Sequence, residues 1–215
     1  MARKRVVVEK GSRQAAIATG GKIFNARWVD EQHKEKSRYV VKDFANTRDP
    51  TMFAAASDTA VGRVVEFKAV IQNYSMFTFD VTSAYTHAWE DELVFLEPPP
   101  EEIEEHGDCV WRSIRVIYGR RKGARSWQEH FDSILRSEEA RQRGFTVEAH
   151  PKCPTLYYVR EADGVIELHV DDGHGCGKET IVAELLTFFC EKIEMKYVQD
   201  IWSGSYEYLK TVKVR

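Results

Sequence analysis

The spacing of apolar positions changes along the chain, and each change marks an element. Lys22 to Asp30 (KIFNARWVD) and Arg38 to Phe44 (RYVVKDF) alternate as two strands, with the polar stretch Glu31 to Ser37 as their turn. Ser57-Asp58 opens a helix running to about Asn73, with Val61, Val64, Val65 and Phe67 near one face. Ser75 to Val81 (SMFTFDV) reads as a strand ending at Asp80. From Arg125 to about Arg143 the period becomes helical, and Trp127, Phe131, Ile134 and Leu135 form one apolar stripe. Thr155 to Arg160 and Val165 to Val170 are strands joined by the turn residues Ala162-Asp163-Gly164. A helix from Ile181 to about Ile193 follows, with Ile181, Leu185, Phe188 and Phe189 inward. A last strand pair lies around Glu194 to Val198 and Tyr206 to Val214.

Without its insertions this order is β-α-β-β-α-β, the split βαβ pattern of a ferredoxin-like α+β fold. Such a fold sets the first and third strands side by side and parallel. Asp80 and Asp171, 91 positions apart in the sequence (171 − 80), would then meet at one edge of a sheet.

Composition narrows the class. The chain has 215 residues, 43% hydrophobic and 30% charged, as an ordinary globular protein does. No apolar run reaches the ~18 residues of a membrane span, and Met1 to Glu9 lacks the apolar core of a secretory signal. Four dispersed cysteines with no C-x-x-C pair suit reduced thiols inside a cell, cytoplasmic or nuclear. The net charge of −3 is unevenly spread. Residues 1–48 carry 12 Lys/Arg against 5 Asp/Glu, and residues 112–143 carry 9 against 4. Residues 90–108 hold nine acids and no Lys or Arg. Two basic segments are thus available to phosphate, and the Pro98 to Gly107 stretch reads as a solvated acidic loop.

The chemistry lies in the carboxylates. Convergent Asp side chains on a sheet edge suit Mg²⁺, which takes oxygen ligands from one or two carboxylates and from substrate phosphates. Two such ions hold the attacking and leaving oxygens of an in-line displacement. A lone Asp at a strand end is more often a cap or turn residue. Here Asp171-Asp172 follows an apolar strand and precedes glycines, which favours the site reading.

Several segments, in order, resemble one family. Phe79-Asp80-Val81-Thr82-Ser83-Ala84-Tyr85 is similar to the D-V-x-x-A-[FY] motif of reverse transcriptases, and His169-Val170-Asp171-Asp172 to their Y-x-D-D motif. Val94 to Pro99, Val116 to Arg121 with Arg125-Ser126-Trp127, Pro154 to Tyr157, Arg27-Trp28-Val29, Ser37 to Phe44, and Glu194-Met195-Lys196 resemble further segments of the Ty1/copia group. The resemblance implies an RNA-directed DNA polymerase using two Mg²⁺ ions, with Mn²⁺ as a substitute. It implies reverse-transcriptase-like fingers over 21–74, a palm over 75–215 with the acidic loop at 90–108, and a basic extension over 1–20.

By the same resemblance Asp80, Asp171 and Asp172 would be the metal-binding carboxylates, with the Val81 carbonyl as a further ligand. Tyr85 would gate the sugar of the incoming nucleotide, and it suits a core aromatic equally. Arg38 and Lys42 would reach the triphosphate, and Tyr118 and Gly119 would line the nucleotide pocket. Arg120, Arg121, Lys122 and Arg125 would lie near the nucleic-acid backbone, although a solvated basic turn accounts for each of them as well. The implied partners are an RNA or DNA template with its primer, deoxynucleoside triphosphates, and thumb, RNase H and integrase domains of a polyprotein. No thumb segment follows the palm, so weak, non-processive synthesis is expected.

The pattern departs from the family in places. His169 stands where Tyr is usual, and Ala124 where Pro is usual. Gly173-His174-Gly175-Cys176-Gly177 replaces an apolar strand and is expected to weaken it, since glycine costs ~0.5–1 kcal/mol in a strand interior. Its spacing matches no P-loop, and His174 with Cys176 lacks the partners of a metal site. Two other readings remain: a catalytically impaired or co-opted domain of the same fold that binds nucleic acid or protein, and a ferredoxin-like interaction module whose acidic loop meets a basic partner.

Overall fold

A computed structural model describes residues 6–30, 37–44, 52, 54, 59–199, 205–208 and 211–214. The expected turn at 31–37 and the helix start at Ser57-Asp58 lie largely outside them. In chain order the elements begin β1 (Val8–Ser12), α1 (Arg13–Ala18), β2 (Lys22–Phe24), β3 (Ala26–Asp30), β4 (Ser37–Val41) and α2 (Thr59–Gln72). Then come β5 (Ser75–Val81), β6 (Val94–Leu96), α3 (Pro100–His106), β7 (Cys109–Ser113), α4 (Gly123–Leu135) and α5 (Glu138–Gln142). The chain continues through β8 (Val147–His150), β9 (Cys153–Val159), β10 (Gly164–His169), β11 (Asp172–Gly177) and α6 (Glu179–Lys192). It finishes with β12 (Met195–Gln199), β13 (Ser205–Tyr208) and β14 (Thr211–Val214). No helix among the described residues is long and apolar enough to cross a membrane.

The chain divides into two compact units, Met1–Ala54 with Tyr85–Trp127, and Ala55–Ala84 with Gln128–Arg215. The first holds a four-stranded sheet in the order β1-β7-β6-β2 and the antiparallel β3–β4 ribbon. The strand expected over Lys22 to Asp30 breaks at Asn25. Its first part pairs in parallel with β6 and its second part with β4. Val41, Val94, Leu96 and Ile117 form one core of this unit. The acidic stretch read as a loop contains α3. Proline fixes the starting φ of a helix, and carboxylates favour its positive end. Accordingly Pro100 opens α3, Glu101 and Glu102 occupy its first turn, and Gly107 ends it at φ 74°.

The second unit is built on a six-stranded sheet in the order β12-β5-β11-β10-β9-β8, antiparallel at every pairing. One face carries Met76, Val165 and Cys176 against Val65 and Ala69 of α2. The other carries Phe77, Phe79 and Tyr157, and Phe79 meets Phe131 of α4 and Phe189 of α6 at ring distances of 6.0 Å. The helix expected from Arg125 to Arg143 ends at Leu135 and restarts after Ser137, whose hydroxyl accepts the Ala140 N–H at 3.1 Å.

The strand neighbours differ from the sequence expectation. The strand ending before Asp171 does not lie beside β5. The glycine-rich β11 lies between them, hydrogen-bonded on both sides. The weakness expected of this run is made good by aromatic cover. Phe79 lies opposite Gly173 and Phe77 opposite Gly175, and a Cβ at either glycine would come closer than 3.0 Å to the ring. The phenylalanines thus fill the space the glycines leave.

Candidate active site

The register of the second unit decides which side chains meet. Asp80, near the end of β5, is exposed and directly faces Asp172, the first residue of β11. Lys196 of β12 faces Asp80 from the other side, and His169 of β10 faces Asp172. Alternation along strands puts this row, Lys196-Asp80-Asp172-His169, on one face at one end of the sheet. Asp171 sits in the two-residue turn between β10 and β11, and its carbonyl accepts the Val81 N–H at 2.8 Å. That bond ties the turn to the end of β5. Val170, the other turn residue, has φ 55°, a strained setting for a β-branched side chain. Thr78, Asp80, Asp172, Lys196, Val198 and Tyr208 line a cleft of about 200 Å³.

Like charges directly opposite on adjacent strands repel, and a divalent cation relieves that repulsion. Among the described residues no three His, Cys, Asp or Glu side chains form a ready cation cage. Asp80 and Asp172 offer carboxylate oxygens, the ligand type that Mg²⁺ takes together with water and phosphate.

The first unit gathers another set. The Arg38 guanidinium lies 5.5 Å from the centre of the Tyr118 ring, and Tyr85 stacks on Tyr118 at 5.0 Å. The Val41 N–H donates to the Tyr118 carbonyl at 2.8 Å. Gly119 adopts φ 90°, and a side chain there would strike the Val41 carbonyl. Arg38, Tyr85, Tyr118 and Gly119 are therefore neighbours. Lys42 is exposed and follows directly on β4.

The basic run splits in two. Arg121 and Arg125 are partly exposed. Arg120 and Lys122 are buried, which corrects the expectation that they face a nucleic acid. Arg120 donates to Asp43 at 2.6 Å and to Glu90 at 3.0 Å and pairs with Glu92. Lys122 pairs with Glu90 at 2.7 Å and with Asp91 and Glu92. The Glu90 side chain is fully buried. Burial alone would raise its pKa, but the hydrogen bonds from Arg120 and Lys122 prevail and hold it below the usual carboxylate range. The first acids of the acidic stretch thus neutralise Arg120 and Lys122. Opposite charge in the two segments was the sequence signal, and separation by about 30 positions concealed it.

One more buried pair was missed. Glu167 and His174 are fully buried cross-strand neighbours, with Nδ1 3.2 Å from Oε2.

Residues 6–207 match the family described as reverse transcriptase (RNA-dependent DNA polymerase), nearly the whole chain. The chain belongs to that family. It is also similar to a retrovirus-related Pol polyprotein from transposon TNT 1-94 of Nicotiana tabacum, 23% identical over 197 residues. That match covers 84% of this chain and 14% of the tobacco protein, so the chain spans about a seventh of that relative's length. The likeness to copia-type retrotransposon reverse transcriptases drawn from the motifs is borne out.

Proposed function

We propose that this domain is an RNA-directed DNA polymerase that adds deoxynucleotides to a primer 3′-hydroxyl, its acidic row serving as a divalent-cation site. The observation that supports this most is the facing of Asp172 and Asp80 with Asp171 tied to Val81 beside them. Asp80, Asp171, Asp172 and the Val81 carbonyl would hold two Mg²⁺, or Mn²⁺. Cations bound there would acidify the primer hydroxyl and neutralise charge on departing pyrophosphate.

In this reading Arg38 and Lys42 receive the triphosphate. A planar guanidinium suits phosphate oxygens, and that of Arg38 lies 5.5 Å from the Tyr118 ring centre. Tyr85 gates the sugar, and Gly119 keeps the pocket floor free of a side chain. Arg121 and Arg125 lie along template or primer, while Arg120 and Lys122 hold the fold. The β3–β4 ribbon serves as fingers, and the six-stranded sheet is a palm in which β12-β5-β11-β10 keep the 4-1-3-2 strand order of a ferredoxin-like core, extended by β9 and β8. The domain acts inside a cell, within a longer polyprotein that supplies the thumb, RNase H and integrase functions.

Primer extension on poly(rA)–oligo(dT) with Mg²⁺ or Mn²⁺, beside an Asp171→Asn variant, tests the proposal. Extension by the parent and none by the variant is expected. A folded parent that extends no primer, or a variant as active as the parent, refutes it.

A further inference from the structure

We propose that the buried Glu167–His174 pair is a register stop that sets the β10–β11 hairpin against β5 and so places Asp172 opposite Asp80. The bearing of this placement on catalysis rests on the function proposed above. The placement itself does not.

Glycine-rich strands specify register weakly. In β11 one face is all glycine, at 173, 175 and 177. Phenylalanines at 77 and 79 cover two of these positions. Glycine and phenylalanine both recur every second residue, so a slip of two residues in one direction preserves both ring-over-glycine pairs and in the other preserves one. The glycine face therefore cannot fix the register alone.

The opposite face of β11 carries Asp172, His174 and Cys176. Cys176 and Val165 pack with Val65, Ala69 and Met76, and losing that apolar cluster opposes an outward slip. His174 faces Thr78 on β5 and Glu167 on β10, both members of the pair wholly inaccessible to solvent. Gly62 of α2 lies over them. A Cβ at Gly62 would stand 3.3 Å from Glu167 Oε2 and 3.6 Å from His174 Cε1, so this glycine provides the notch that admits the pair. The Tyr208 ring closes on His174 at 3.9 Å between centroids.

An inward slip of two residues would carry His174 from Thr78 to Met76, and the pair from the Gly62 notch to the apolar Val65 and Ala69. Burying such groups against hydrocarbon is costly. The hairpin thus stops where its turn reaches the end of β5, with Asp172 at Asp80. A buried polar pair that fixes register is a well-attested use of such groups. Glu167 and His174 are positioning residues in this scheme.

Disulfide trapping reads the register directly, since facing strand residues lie within disulfide range. The probes are Asp80→Cys with Asp172→Cys for the native register, and Thr78→Cys with Asp172→Cys for the slipped one, with the linked peptides identified by mass spectrometry. In the parent background the native link dominates. With Glu167→Leu and His174→Leu, which keep the volume apolar and the site packed, the slipped link is expected to rise on the order of tenfold relative to the native one. Exchanging the pair, Glu167→His with His174→Glu, should keep the native preference. A purely stabilising pair would change melting but not the ratio of the two links. An unchanged ratio in the folded leucine variant, or a slipped link in the exchanged variant, overturns the proposal. The readout is a covalent bond and not synthesis, so a chain that passes here and extends no primer fails the proposed function alone.

Discussion

Gly173→Ala is the sharpest test of how the central strand is built. The new methyl would approach the Phe79 ring closer than 3.0 Å, a distance real Cβ atoms do not show. The ring has little room to yield, because Phe131 and Phe189 stand 6.0 Å from it and Phe77 6.4 Å. Forcing extra volume into a packed core costs about 1–3 kcal/mol. For a chain of this size each kcal/mol lowers the melting temperature by about 2–4 °C, so a fall of roughly 2–12 °C is expected. Thermal melting followed by circular dichroism measures it. A double-mutant cycle isolates the cause. Phe79→Leu alone should destabilise by opening a cavity, and it should relieve most of the Gly173→Ala penalty when the two are combined. Strict additivity, or an alanine variant as stable as the parent, would refute the aromatic-cover explanation.

Three further outcomes follow from the geometry. Glu90→Gln leaves two buried cations short of one charge. Breaking a buried pair costs ~3–5 kcal/mol, but Arg120 retains Asp43 and Glu92, so a loss of about 2–3 kcal/mol is expected in denaturant titration; less than about 1 kcal/mol would contradict the burial. Asp163 accepts hydrogen bonds from the Tyr74 hydroxyl, Lys68 and the Tyr158 hydroxyl, which depress its pKa to about 2. A depressed carboxylate stabilises fully above its unfolded value of about 4 and loses that contribution as pH falls toward the folded value. Asp163→Asn should therefore melt below the parent at neutral pH, with a gap that closes between about pH 4 and pH 2. A gap independent of pH would count against it. Tyr85→Ala should raise ribonucleotide over deoxynucleotide incorporation on the order of tenfold in primer extension, the scale of one lost contact; an unchanged ratio removes Tyr85 as the sugar gate.

Much of the fold was legible because period and punctuation agree with it. β5, β9, β10 and α6 fall within a residue or two of their sequence positions, and their apolar periodicity survives in the core. What escaped the sequence depends on contacts between distant segments. The glycine run looked like a defect because Phe77 and Phe79, which repair it, lie about 95 positions earlier. The placement of β11 beside β5 escaped for the same reason. Arg120 and Lys122 looked like phosphate ligands because a basic run shows its charge and not its burial. α2 shows the limit of periodicity from the other side. Val65 is buried as expected, while Val64 and Phe67 on the expected apolar face are 51% and 69% exposed. At the site, the sequence named Asp80 and Asp172, but only strand register shows them facing each other and flanked by Lys196 and His169.

Mn²⁺ binding followed by electron paramagnetic resonance tests the cation site proposed at this facing pair. Removing one unit charge about 4 Å from a divalent cation costs roughly 2–8 kcal/mol between bulk-water and near-surface dielectrics, which corresponds to about thirtyfold or more in affinity. Asp80→Asn and Asp172→Asn should each weaken Mn²⁺ binding by that amount in the presence of a deoxynucleoside triphosphate, with both variants still folded. Equal Mn²⁺ affinity in the parent and both variants would rule out a cation site at Asp80 and Asp172.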